Sequence, residues 1–143
     1  PAAKLRNELY GLFGDKSARG KLSVNVVSFG FKYGIPLEAD LVFDVRFLPN
    51  PFYVPELKHK TGLDQEVVDY VMASEESQEL LHRYEYMLEY ALPLYVKEGK
   101  SQLMIAVGCT GGKHRSVAIT EALSEHLRRK EYGVVTMHRD YQR

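Results

Sequence analysis

The spacing of apolar and polar positions predicts strands and helices in alternation along most of the chain. Residues 22–29 alternate apolar and polar types and then become apolar, and residues 39–45 give a second strand. Residues 102–108 form the most apolar run, which is typical of a central strand buried on both faces, and residues 134–137 predict a last strand. Strand, helix and strand at this spacing predict a single α/β domain with a mixed, mostly parallel sheet and flanking helices.

Helical periodicity and capping signals place the helices between these strands. We expect Asp64 to cap a short helix and Ser74 to cap a longer one, which Pro93 should kink or split and Gly99 should end. A further helix follows the third strand and should close at Gly133. Its apolar face carries Ile119, Ala122, Leu123, His126 and Leu127, where the histidine is expected to be a core residue with satisfied hydrogen bonds.

Length and composition limit the classes of protein that fit this pattern. The chain has 143 residues, of which 45% are hydrophobic, enough for one ordinary domain with its own core. Its 19 basic and 19 acidic residues cancel, which removes the strongly basic composition typical of many nucleic-acid-binding domains. The single cysteine, Cys109, excludes an internal disulfide and zinc sites built on several cysteines. We expect a reduced, cytoplasmic protein, since no apolar run approaches the roughly 18 residues that span a membrane.

The segment between the third strand and the next helix carries the residues most suited to chemistry. It reads Gly108-Cys109-Thr110-Gly111-Gly112-Lys113-His114-Arg115-Ser116. A helix N-terminus there offers unpaired backbone N–H groups, whose partial positive charge favours an anion. The paired glycines let the backbone approach a phosphate, the hydroxyls donate, and the basic side chains add full charge. We therefore expect residues 110–116 to bind a phosphate-bearing ligand; a plain connecting turn, the alternative, needs only one glycine.

The same segment allows a catalytic interpretation. Cys109 and Arg115 have the spacing C-x5-R followed by Ser116, which resembles the signature of cysteine-dependent phosphatases. There, loop amides and the arginine hold the phosphate while the helix dipole favours the nucleophilic thiolate. Such an enzyme also needs a general acid, for which Asp40, Asp44 and Asp64 qualify by residue type only. Gly108 stands where these phosphatases have histidine, so we expect no catalysis in this domain and keep the phosphatase as the alternative.

Two further groups of polar residues are candidate binding sites. The first is a secondary pocket beside the loop; its members are Lys32, Asp44, Arg46, Asn50 and Phe52. The alternative is ordinary surface charge, or a contribution of Asp44 and Arg46 to the structure of the loop. The second is a basic C-terminal group that suits RNA contact, and its alternative is a solvated helix end with a polar tail; its members are Arg128, Arg129, Lys130, His138 and Arg139. The five histidines lack metal-ligand spacing, so we expect neither a metal nor a cofactor.

Several motifs together resemble the C-terminal domain of the RapZ/YvcJ family of bacterial proteins. GCTGGKHRSV at residues 108–117 and DLVFDVRFLPNP at residues 40–51 carry the resemblance. FKYGIP at residues 31–36, TGLD at 61–64 and HRD at 138–140 support it. By this resemblance, residues 21–143 form the family's C-terminal ligand-sensing domain. Residues 1–20, in which Leu5, Leu9 and Phe13 recur at helical spacing, form a linker or short helix that follows an N-terminal P-loop domain.

The resemblance also implies a function. Full-length members bind and hydrolyse ATP or GTP in the P-loop domain. In the enterobacterial branch the C-terminal domain senses glucosamine-6-phosphate through the loop that matches residues 110–116 here. It also binds a small regulatory RNA, presents that RNA to an endoribonuclease and self-associates. Phe52 occupies a position that is often histidine in that branch, which makes a nucleotide sugar such as UDP-N-acetylglucosamine the second candidate ligand.

Overall fold

The computed structural model describes residues 20–143, which contain four strands and three α-helices. The strands are β1 (Ser23–Gly30), β2 (Leu41–Asp44), β3 (Gln102–Cys109) and β4 (Gly133–His138). The helices are α1 (Gln65–Met72), α2 (Glu75–Glu98) and α3 (Arg115–Arg129), and short 3₁₀ turns lie at Phe31–Tyr33 and Pro51–Tyr53. The helix expected among Leu5, Leu9 and Phe13 lies outside the described residues.

The four strands form one sheet in the order β2-β3-β1-β4. Every pairing is parallel, so the described sheet is wholly parallel where a mixed, mostly parallel one was expected. Gly30 pairs with Cys109, and Asp44 pairs with Gly108, at the ends of their strands. The carboxyl ends of β1, β2 and β3 therefore meet at one edge, where ligands gather in open α/β sheets.

The helices cover one face of this sheet. Because successive strand residues point to opposite faces, Val24 and Val26 of β1 face the helices and are fully buried. Helix α3 packs on β1, β3 and β4, while α1 and α2 pack against α3. The buried face of α3 includes Ile119, Leu123 and Leu127, as the helical spacing predicts. On the opposite face, Val42, Val135 and Met137 are exposed.

The predicted ends of α2 agree with the structure, whereas the predicted break within it does not. The Ser74 hydroxyl accepts the backbone N–H of Ser77, and Gly99 ends α2 in the left-handed conformation, so both predictions are confirmed. Helix α2 runs on through Pro93, so the predicted split is wrong. Proline removes one helical N–H, and the carbonyl that loses this partner belongs to Glu89, an exposed residue where water can replace the bond.

At two other predicted helix ends the structure differs in part from the prediction. Asp64 occupies the N-cap position of α1, as predicted, but its carboxylate accepts the backbone N–H of Thr61 rather than one from the helix. Gly133 begins β4 instead of closing α3, because the chain already turns at Glu131, whose φ is +69°. None of the helices among residues 20–143 has the length and apolar character needed to cross a bilayer.

Candidate functional site

The predicted loop lies at the centre of the sheet's carboxyl edge. Strand β3, between β1 and β2, ends at Cys109, and α3 begins at Arg115. The intervening residues therefore carry the chain from an inner strand directly into a helix N-terminus. His114 occupies the N-cap position without a side-chain capping bond. The first N–H groups of α3 thus depend on other partners, which is the arrangement that favours an anion.

Close backbone contacts hold this loop against its neighbours. A Cβ on Gly30 would lie 2.5 Å from the carbonyl carbon of Gly111, and one on Gly112 would lie 2.5 Å from the backbone nitrogen of Gly30. Gly112 also has φ of +75°, a conformation that favours glycine. On the other side, the N–H of Gly62 donates to the carbonyl of Lys113 at 2.9 Å. Gly30 and Gly112 are therefore required by packing.

Asp140 anchors the backbone at Gly30, against which the loop packs. Its side chain is almost fully buried, and its Oδ2 accepts the N–H of Gly30 at 2.8 Å. Arg139 and Arg143 form ion pairs with it at 2.8 and 3.0 Å. Burial raises the pKa of the Asp140 carboxyl, but the hydrogen bonds from Arg139 and Gly30 outweigh burial and leave the pKa below its ordinary value. The carboxylate is therefore a charged structural anchor, which explains the HRD motif.

Arg115 is buried at the first position of α3, with 5% of its surface exposed. Its Nη1 donates to the backbone carbonyls of Arg46 and Leu48, and its Nη2 lies 3.4 Å from the hydroxyl of Thr110. Its Nε is buried and has no hydrogen-bond partner within residues 20–143. Nη2 and Nε share one edge of the planar guanidinium, so the edge that reaches Thr110 at the cavity retains donor capacity.

A cavity of about 450 Å³ opens over this loop, a size typical of small-molecule sites. From the predicted loop it is lined by Thr110, Gly111, Lys113, His114 and Arg115. From the predicted secondary pocket it is lined by Lys32, Asn50 and Phe52. The structure therefore brings together eight of the residues that the sequence proposed for ligand binding.

Four of the proposed residues do not line the cavity. Gly112 is buried beneath the loop, and Ser116 is fully buried. Asp44 and Arg46 form an ion pair at 2.7 Å, and the guanidinium of Arg46 stacks on the ring of Phe31 at 3.9 Å. The hydrogen bond from Arg46 lowers the pKa of the Asp44 carboxyl. This pair matches the alternative interpretation, a contribution to loop structure.

The cavity also has lining residues that sequence reasoning missed. They are Tyr33, Tyr53, Lys58, His59 and Arg143. No periodic pattern marks them, because they lie in turns and at the chain end. One signal was available: Tyr33 and Tyr53 fall inside or directly after the FKYGIP and PNP motifs already linked to the site.

The cavity carries an excess of positive charge. No acidic side chain is among its lining residues in the described part of the chain. Lys32, Lys58 and Lys113 form no ion pair with any carboxylate of residues 20–143. These three lysines come from three separate segments and converge on one cavity. The charge is therefore available to a ligand.

His114 connects the loop to the segment that carries Lys58. Its buried Nε2 lies 3.1 Å from the Lys58 carbonyl oxygen, and because a carbonyl can only accept, Nε2–H is the donor. Burial lowers the pKa of His114, and the charge of Lys113 lowers it further, against the effect of hydrogen bonds to nearby carbonyls. The neutral imidazole of His114 therefore holds in place the segment that carries Lys58, and Lys58 forms one cationic wall of the cavity.

Cys109 and Arg115, the two central residues of the phosphatase interpretation, both line the cavity, but the thiol and the candidate general acids are not arranged as catalysis needs. The Cys109 thiol is buried and donates to the Ser116 hydroxyl at 3.1 Å. Asp40 pairs with Lys100 at 2.7 Å and also accepts a backbone N–H. None of the three carboxylates considered as general acids lines the cavity.

The basic group considered for RNA contact is divided by the fold. Arg128, Arg129 and Lys130 lie at the C-terminal end of α3, near the start of β4, where all three contact hydroxyl or carboxylate groups of the same chain. His138 and Arg139 lie at the end of β4, on the opposite edge of the sheet. The structure therefore does not bring these five residues into one patch.

The histidines outside the cavity have local partners. His126 Nδ1 lies 3.5 Å from Glu85, and its Nε2 lies 3.1 Å from Glu89 but outside hydrogen-bond geometry, so it is a half-buried ion-pair residue rather than a satisfied core histidine. Within residues 20–143, no three His, Cys, Asp or Glu side chains are arranged to hold a metal ion.

Comparison with known proteins adds an independent line of argument. Residues 22–142 match the model of the RapZ C-terminal domain. "Nucleotide-binding protein TTE1834" of Caldanaerobacter subterraneus is 55% identical over 139 residues, which are 97% of this chain and 49% of the relative. A "Nucleotide-binding protein" of Carboxydothermus hydrogenoformans is 50% identical over 141 residues, 99% of this chain and 49% of the relative. The chain spans about half the length of the curated relatives it matches.

Proposed function

The chain belongs to the family of RapZ C-terminal domains, and from this premise we propose that it is a regulatory, ligand-sensing domain. Its ligand is an amino-sugar phosphate or a nucleotide sugar, such as glucosamine-6-phosphate or UDP-N-acetylglucosamine. Residues 110–116 hold the phosphate, and the surrounding cavity holds the remainder of the ligand. The domain acts by binding and carries out no covalent chemistry.

The unsatisfied guanidinium of Arg115 is the main structural support for this proposal. Its buried Nε has no partner within residues 20–143, although buried polar groups are nearly always hydrogen-bonded. Arg115 lies at the N-terminus of α3, where the helix dipole favours an anion, and beside a cavity with three lysines that have no carboxylate partner within residues 20–143. A phosphate group in this cavity would give the Arg115 guanidinium, the N-terminus of α3 and Lys113 a common anionic partner.

The binding affinity expected for such a site is consistent with metabolite sensing. Hydrogen bonds to charged groups contribute on the order of 1.5–3 kcal/mol each. Two or three of them, reduced by the cost of association, give dissociation constants of roughly millimolar to micromolar. Affinities in this range allow occupancy to follow the concentration of a metabolite.

The phosphatase remains the alternative in a different class, and the site geometry favours it less. A cysteine nucleophile must be accessible to the phosphorus and needs a general acid for the leaving oxygen. Cys109 is 3% exposed and donates to Ser116, and no carboxylate lines the cavity in the described residues. Turnover of p-nitrophenyl phosphate that disappears in Cys109→Ser would overturn the binding proposal in favour of the enzyme.

The wider role implied by the family stays a prediction. Small-RNA binding, an endoribonuclease partner, self-association, a cytoplasmic location and nucleotide hydrolysis in a P-loop domain belong to whole family members, of which this chain spans about half. The divided basic residues at the end of α3 and the end of β4 favour no single RNA-contact surface on this domain.

Thermal unfolding with and without ligand tests the binding proposal. We expect glucosamine-6-phosphate or UDP-N-acetylglucosamine at about 100 times its dissociation constant to stabilise the protein by roughly 2.7 kcal/mol. Lys113→Ala removes one unpaired cation and should weaken binding about tenfold. Lys97→Ala is the matched control, since Lys97 is an exposed lysine near the opposite edge of the sheet. Equal behaviour of the two variants, or no stabilisation by any phosphate compound, would contradict the proposal.

A further inference from the structure

The geometry points to a nucleoside diphosphate, such as a UDP-linked N-acyl sugar, as the ligand class of this cavity. This inference rests on the proposed phosphate-binding function of residues 110–116 and adds a second site beside it. We call that second site the distal subsite, and it consists of Lys32, Tyr33, Phe52, Tyr53 and Lys58.

The balance of charge in the cavity favours a ligand with two phosphate groups. One phosphate monoester carries about −1.5 to −2 charges at neutral pH, which Arg115, Lys113 and the α3 dipole can balance. Lys32 and Lys58 then remain as two further cations in the same cavity, without a carboxylate partner in the described residues. A second phosphate group in the ligand would balance them, whereas a single phosphate would leave them unpaired.

The cavity is poorly suited to the free amine of glucosamine-6-phosphate. A protonated amine in this cavity would face cations and would need a carboxylate to compensate for its lost hydration. No acidic residue lines the cavity in the described chain, and Asp44 gives both carboxylate oxygens to Arg46. An acylated, neutral nitrogen avoids this cost. The charge distribution therefore favours an N-acyl sugar over a free amino sugar.

Aromatic rings in the distal subsite favour a nucleoside base. Lys32 lies 5.1 Å from the ring centre of Tyr33, and Lys58 lies 4.7 Å from that of Phe52, so each cation lies beside an aromatic ring. Tyr53 meets Phe52 edge to face at 5.6 Å and is 79% exposed. Exposed rings beside unpaired cations are the combination that binds a flat base next to its phosphates.

Equilibrium binding of a ligand series tests this inference. We expect UDP and UDP-N-acetylglucosamine to bind at least about tenfold more tightly than UMP or inorganic phosphate, which is the effect of one additional charge-assisted contact. N-acetylglucosamine-6-phosphate should bind more tightly than glucosamine-6-phosphate, because acetylation removes the positive charge of the nitrogen. UDP that binds no more tightly than UMP, or a preference for the free amine, would overturn the inference.

Variants of the distal subsite provide the second readout. Tyr53→Ala should weaken UDP binding about tenfold and leave the affinity for inorganic phosphate unchanged. Tyr86→Ala is the matched control, because Tyr86 is also 79% exposed but lies on α2, away from the cavity. Equal affinity of Tyr53→Ala and Tyr86→Ala for UDP would reject stacking in the distal subsite. If no phosphate compound binds the wild type, the proposed function itself fails; if all bind equally, only the distal subsite fails.

Discussion

Gly112 combines two separate constraints at one position of the loop. Its φ of +75° lies in the left-handed region, and its missing Cβ leaves room for the backbone nitrogen of Gly30. Gly111, directly before it, has no atom within 4 Å of an added Cβ. Gly112 is therefore required for packing, whereas Gly111 leaves the cavity side of the backbone open. At the scale of single residues, access and packing are separate requirements of the same motif.

These constraints predict the cost of adding one methyl group. Gly112→Ala should destabilise the protein by about 2–5 kcal/mol, of which about 1–2 comes from the left-handed conformation and about 1–3 from overpacking against Gly30. Gly99→Ala has the same backbone constraint but nothing within 4 Å of the new Cβ, so it should cost only about 1–2 kcal/mol. Urea unfolding measures both, and equal losses would show that the close approach to Gly30 is not a constraint.

Helix α3 is the element on which the site depends. Its first turn carries the buried Arg115, its apolar face packs on the sheet, and its N-cap residue His114 reaches across to the Lys58 carbonyl. His138, at the end of β4, is also half-buried, and its Nδ1 lies 2.7 Å from the hydroxyl of Ser28. Burial lowers the pKa of both histidines. The fold therefore favours their neutral forms.

The lowered pKa values predict how stability depends on pH. In the folded state these histidines bind protons less readily than in the unfolded state, where the ordinary pKa is about 6.5. Stability should therefore be fully present above about pH 6.5 and fall as the pH drops below it, because the unfolded state then binds more protons. His114→Gln should reduce this dependence relative to the wild type. Denaturation at pH 7.5 and 5.5 gives the free energy of unfolding of the wild type and the variant at each pH. An unchanged pH dependence of this free energy in His114→Gln would contradict the assignment.

The elements differ in how far the sequence predicts them. Strand β3 and the helix after it were predictable because residues 103–107 are apolar throughout and the glycine-rich segment follows directly. The continuity of α2 through Pro93 was not, because it depends on the exposure of the preceding turn in the folded molecule. Lys58 was also missed, since it reaches the cavity only through the tertiary contact with His114, 56 residues away in the chain.

At the scale of the whole molecule, the two faces of the sheet differ. Helices cover one face, while Val42, Val135 and Met137 leave apolar surface exposed on the other. Wholly parallel sheets are usually covered on both faces, and this chain spans about half the length of its curated relatives. The site itself lies at the carboxyl edge and is built from β1, β2, β3 and α3 together with their loops. The proposed phosphate-binding centre could be predicted from one sequence motif, whereas the cationic and aromatic walls of the cavity could be identified only from the folded structure.

The most direct test of the phosphate-binding claim is a titration that resolves single backbone amides. In ¹H–¹⁵N nuclear magnetic resonance spectra, inorganic phosphate and UDP-N-acetylglucosamine should shift the amide signals of residues 110–116 progressively to saturation, with millimolar to micromolar constants. The amides at the C-terminal end of α3 should stay unchanged, since they lie at the opposite edge of the sheet. Saturable shifts centred on residues 110–116 would support the account. Shifts confined to other surfaces, or no shifts at millimolar ligand, would contradict it.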